Sequence, residues 1–149
     1  MIPKPVLREL VNRRVRDAEV LFENRRYSSA IYMAGYAIEI AFKYKICRIY
    51  IFSKGFPETK LEFQSYYSAS GNKRNLRLAI KTLQEIRNHD LPKLLFYSGS
   101  EVKIKSKLLN EWNLIAGWTP EMRYKITAIY KTEAQSKISA VKSILREIL

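Results

Sequence analysis

The chain contains one histidine, His89, and Arg87 stands two positions before it. An imidazole can serve as general acid or base, as in RNA cleavage, where a 2′-hydroxyl must lose a proton and the leaving oxygen must gain one. One imidazole supplies only one of those groups. Catalysis would therefore need two copies of His89 at a dimer axis, with Arg87 or another arginine clamping the transition-state charge. The plainer role is a structural histidine at a helix start that satisfies local hydrogen bonds. A Ser-His-Asp arrangement could use only His89, and Asp90 beside it reads more naturally as the cap of a helix opening at Leu91.

Glu39 is the second chemical feature, a carboxylate inside the apolar run YSSAIYMAGYAIEIAFKYKICRIY from Tyr27 to Tyr50. A buried carboxylate is costly unless a cation or several donors meet it. Lys43, four residues ahead in the favourable orientation, is one candidate partner, and Arg123 in the PEMRY segment is another. A network of Glu39, Lys43 and Arg123 would either fix how the PEMRY turn docks or form part of a ligand site. Trp112 and Trp118 flank that turn. With Tyr36, Tyr124 and Tyr130 they could line a groove beside Arg123 suited to a purine nucleotide, although aromatic residues at helical spacing equally mark core or a dimer face. One histidine and one cysteine, Cys47, cannot form a usual zinc site. With no calcium-loop pattern and no phosphate-cradling glycine motif either, neither metal nor cofactor is expected.

The elements that must position these residues read as helices. Hydrophobic content of 47% with only five Gly and five Pro in 149 residues argues for one ordered, helical domain spanning 1–149. Leu7, Val11, Val15, Ala18 and Phe22 recur at three- and four-residue steps, which predicts an amphipathic helix from Pro5 to about Asn24. A central helix, apolar on more than one side, is predicted from Ser28 to about Ser53, with Gly35 compensated by close approach of a neighbouring backbone. Phe56 to Gly71 carries weaker signals, with Leu61, Phe63, Tyr66 and Tyr67 either stacking on bases or covering the core. Leu76, Ala79, Ile80, Leu83 and Ile86 predict a third helix from Asn72 to Asn88, whose opposite face would carry Arg74, Arg77 and Lys81 as a basic stripe able to grip phosphates. Leu91 to Tyr97 forms a short helix stopped by Gly99. Ser100 then caps another that carries Ile104, Leu108, Trp112 and Ile115, Ala116 to Arg123 turns, and a last helix runs from about Tyr130.

A net charge of +13 draws the protein towards polyanions, or simply keeps it soluble. No stretch offers the ~20 uncharged residues that span a bilayer, so no membrane association is expected. The unpaired cysteine and the charged amino-terminal segment read as cytoplasmic.

The order of these features resembles the HEPN-domain family, in its small stand-alone prokaryotic form. The likeness rests on Arg16 to Arg48, on HDLPKLL from His89, on EWNLIAGW from Glu111 and on PEMRY from Pro120. It implies an up-and-down bundle of about five helices, a homodimer, and neighbourhood with a minimal nucleotidyltransferase in two-gene systems, some of them toxin and antitoxin pairs. Active HEPN ribonucleases resemble one another in an Arg followed one to two helical turns later by a His. Here Arg87 precedes His89 by two positions and none of Thr82, Leu83 or Gln84 is arginine. Residues two apart point about 200° away from each other around a helix. The first reading is accordingly an accessory protein that binds RNA, another nucleic acid or a nucleotide through Arg74, Arg77, Lys81, Arg123 and Tyr124. A toxin-type ribonuclease using His89 and Arg87, and a module that only holds a protein partner, are the alternatives.

Overall fold

The structure, a computed structural model, describes residues 1–68, 80–126 and 128–149. Helix α1 spans Lys4–Glu23, with Pro5 in its first turn, where a missing N–H costs nothing, and with Leu7, Val11 and Ala18 buried. It ends with Arg25 in the left-handed region at φ 59°. There the N–H of Arg26 bonds the Leu21 carbonyl at 2.8 Å and that of Arg25 bonds Phe22 at 3.0 Å, which closes the helix and reverses the chain.

Helix α2 spans Tyr27–Ile49 and is buried on several sides, from Ala30, Ile31 and Ala34 to Ile38, Phe42 and Ile46. It packs on α1 along its length and also meets the last helix, the helix Leu91–Tyr97 and the PEMRY turn, so it is the axis of the bundle. Its end comes before the predicted Ser53. Ile51 takes φ 55°, and the Phe52 N–H bonds back to the Cys47 carbonyl at 3.0 Å. A β-branched residue is strained there, and the fully buried ring of Phe52 at the next position offsets the strain. Cys47 is itself fully buried, and burial pushes its thiol up to about 12.

Gly55, at φ 131°, lets the chain lie against the amino terminus, since a Cβ there would sit 2.2 Å from the Ile2 carbonyl oxygen. Ile2 and Phe56 exchange two backbone hydrogen bonds of 2.9 and 2.8 Å. Helix α3, Lys60–Ser68, sends Phe63 and Tyr66 onto Phe52, the latter stacked at 4.6 Å. Those two rings cover the core and are not presented for base stacking.

The predicted helix Asn72–Asn88 is not seen in its described part: residues 80–90 hold only a 3-10 turn at Leu83–Glu85. Helices α4 (Leu91–Tyr97), α5 (Glu101–Lys107) and α6 (Leu109–Ile115) follow. The last two were expected as one, but Leu108 at φ −134° and ψ 39° breaks them apart. Ser100 precedes α5 without a capping bond from its side chain. A 3-10 turn at Pro120–Tyr124 and α7 (Lys131–Ile148) complete the chain. The described residues are thus all-α, with seven α-helices in place of about five, and their buried side chains join in one cluster. No helix among them is long and apolar enough to cross a membrane.

Candidate functional site

Tyr32, Tyr36, Glu39 and Lys43 recur at three- and four-residue steps and share one stripe of α2. The segment facing this stripe is held by buried Leu83 and Ile86 and by its own polar contacts. Glu85 accepts from the backbone N–H groups of Lys81 at 2.7 Å and Thr82 at 3.3 Å, forming a capping box with Thr82. The Asn88 amide donates to the Gln84 and Glu85 carbonyls at 3.0 and 2.8 Å, while its oxygen accepts from the Asp90 N–H at 2.9 Å. Asp90 caps α4 through the Lys93 N–H at 2.9 Å, the role expected of it. His89 is therefore fixed between two residues that each tie down backbone.

The two oxygens of Glu39 have separate partners. Oε1 accepts from Lys43 Nζ at 2.5 Å and Oε2 meets His89 Nδ1 at 2.8 Å. The Glu39 side chain is 4% exposed, Lys43 13% and His89 55%, so a buried carboxylate holds a half-exposed imidazole. A carboxylate only accepts, so Nδ1 is the donor and Nε2 is left as the free ring nitrogen. Lys43 Nζ also lies 5.6 Å from the Phe56 ring centroid. His89, Lys43, Arg87, Asn88 and Glu58 line a cleft of about 290 Å³ whose apolar wall is Ile2 and Phe56.

An aromatic cluster adjoins the pair. Tyr36 meets His89 edge-on at 6.3 Å and Trp118 at 4.9 Å, and shares a 3.4 Å hydrogen bond with Tyr32. Burial, helped by Tyr32, pushes the Tyr36 hydroxyl up to about 12. Tyr32 moves the opposite way through its bond to Tyr36 and the nearby Arg123. Arg123 donates to the Tyr32 hydroxyl over a long 3.4 Å and lies 4.7 Å over the Tyr124 ring. Glu121 sits below the usual carboxylate range, chiefly through a hydrogen bond from Thr119, with His89 and Arg123 adding attraction. Trp118 explains Gly35: a Cβ at that position would lie 2.1 Å from the indole Nε1. The close approach is thus by a side chain and not by the backbone expected.

The structure brings Glu39, Lys43, Arg87 and His89 together. Arg123 was expected as a partner of Glu39 but donates to Tyr32 instead, because the PEMRY turn docks on α2 about two turns earlier. Tyr124 and Tyr130 are exposed, whereas Trp112 and Trp118 are buried. Lys81 is exposed and lies outside any helix, so it belongs to no helical stripe, and Arg74 and Arg77 lie outside the described residues. The contact between Glu39 and His89, fifty positions apart, carries no local signal. Tyr32 was missed in the sequence, although its spacing from Tyr36, Glu39 and Lys43 puts all four on one helical stripe. Among the described residues no group of three or more His, Cys, Asp and Glu side chains could hold a metal ion.

Compared with protein-family models, with curated proteins and with solved structures, the chain has no match in any of the three.

Proposed function

We propose that this chain is a HEPN-like accessory protein that binds RNA or a nucleotide by its phosphates at the His89 cleft. In this reading it works as a homodimer in the cytoplasm, beside a minimal nucleotidyltransferase encoded in the same prokaryotic two-gene system. The observation that carries the reading is the pair of bonds from buried Glu39 to Lys43 and His89, with Arg87 at the same cleft. The His89 imidazole and the Arg87 guanidinium, which line the same cleft, offer N–H donors to a phosphate. Fluorescence anisotropy with labelled single-stranded RNA, and with a labelled ATP analogue, tests it. Arg87→Ala should weaken binding while leaving the melting temperature in place, and His89→Ala should weaken it with some loss of stability, because Glu39 Oε2 then lacks its donor. Unchanged affinity in both variants would overturn the assignment.

A toxin-type ribonuclease is the second reading, and one contact favours it. Glu39 fixes Nδ1 as the donor and so leaves Nε2 available to take a proton from a 2′-hydroxyl. A second group would have to come from another copy of the chain. Cleavage of RNA that disappears in His89→Ala would support it, and cleavage that persists would mark a contaminant.

A further inference from the structure

A second concavity shares no residue with the His89 cleft. Helices α1 and α7 each pack more extensively on α2 than on one another, which leaves a seam between them. One part of the seam, about 580 Å³, has Arg8 and Arg16 on the α1 side and Lys142 and Arg146 on the α7 side. Its floor is aliphatic, made by Val15, Leu145 and Leu149. The other part, about 300 Å³, has Phe22 and Ile138 on its floor and Glu23 and Gln135 on its rim. Glu19 and Lys142 line both parts and form an ion pair across the middle. The seam is therefore continuous, with the two helices antiparallel along it.

Three of its cations stand without a counter-charge. Arg13 and Arg14, on the same helix, are paired with Glu9 and Asp17. Among the described residues no carboxylate is paired with Arg8, Arg16 or Arg146, and all three are exposed. Unpaired positive charge at one end of an aliphatic trough matches one kind of occupant. From Arg8 to Phe22 α1 rises about 21 Å, four helical turns, the length over which an amphipathic helix can lay an i, i+3, i+4 stripe in a groove.

We propose that the seam between α1 and α7 takes an amphipathic helix of a partner protein. Its carboxylate-rich end lies over Arg8, Arg16 and Arg146, and its aliphatic stripe lies along Val15, Leu145 and Ile138. A nucleic-acid backbone fits less well. The basic part of the trough offers no aromatic ring on which a base could stack.

A fluorescein-labelled helical peptide of about fourteen residues, with Glu at one end and Leu at i, i+3 and i+4, is the probe. It is titrated into the full chain beside the same peptide with Lys for Glu and beside a labelled single-stranded RNA. The acidic peptide should bind and the basic one should not. Charge reversal at the three positions, R8E/R16E/R146E, should weaken the acidic peptide roughly tenfold or more, with His89→Ala having no effect. The neutral set R8Q/R16Q/R146Q is read alongside, so a reversal variant that folds poorly does not end the test. No binding of the acidic peptide, or equal binding by both sets of variants and wild type, would overturn the proposal. Loss of RNA affinity in those variants, without any peptide binding, would instead make the seam a nucleic-acid surface.

Discussion

Each oxygen of Glu39 is committed to a different neighbour, so substitutions around it have unequal consequences. Glu39→Leu strands the ammonium of Lys43, only 13% exposed, without a counter-charge. Breaking a buried pair in this way costs about 3–5 kcal/mol, whereas replacing both members by apolar residues is often neutral. Urea unfolding should therefore show Glu39→Leu strongly destabilised and Glu39→Leu with Lys43→Met much less so. Additive losses would mean that the two do not act as a unit. Tyr36 gives a second residue-level expectation. Its hydroxyl holds its proton to about 12 in the folded chain against 10.0 for an ordinary tyrosine. A raised folded value contributes stability that is complete below the ordinary value and disappears as pH rises through the folded one. Alkaline titration of phenolate absorbance should show a late component that Tyr36→Phe diminishes, and wild type should lose stability relative to that variant above pH 10. At this scale the need of Glu39 for a cation, and the identity of Lys43, were legible in the sequence because both lie on one helix. The choice of His89 over Arg123 was not, since it depends on how two loops dock.

At the scale of elements, Gly35 sets a helix propensity against a steric contact. Alanine would favour α2 by up to about 1 kcal/mol, but its methyl would occupy the place of the Trp118 ring. Overpacking of a buried site costs about 1–3 kcal/mol, and an indole that shares its place with a helix backbone has little room to yield. Gly35→Ala should thus destabilise the fold and expose Trp118, seen as a red shift in tryptophan emission. An unchanged spectrum would show that the ring moves freely. Helix starts were easier to read than helix ends. Pro5 and Asp90 mark starts by chemistry that acts locally, whereas α2 stops at Ile49 and α5 at Lys107 with no glycine or proline at the break to announce it. The steps Ile104, Leu108, Trp112 and Ile115 continue the apolar period across that break, so periodicity alone joined what backbone angles separate.

Across the whole molecule, composition was enough for the all-α class, because few turn formers and long three- and four-residue periods leave helices as the means of burying this much apolar surface. Charge was a weaker guide. A net +13 states that polyanions are attracted but not where, and the structure places Lys43 and Arg87 at the His89 cleft and Arg8, Arg16, Lys142 and Arg146 along the seam of α1 and α7. If phosphate sits at the cleft, the slope of log affinity against log salt for single-stranded RNA should flatten by about 0.7 in Arg87→Ala. An equal slope would remove Arg87 from the contact. The enclosure of Cys47 has a practical consequence for studying any of this. As the chain's one thiol, fully covered and held protonated to about 12, it is closed to Ellman's reagent until the bundle opens. The colour released per chain should stay near zero in native buffer and approach one equivalent in guanidinium. Its rate in between then clocks spontaneous opening, with no dye and no engineered residue, for wild type and for every variant that keeps this cysteine.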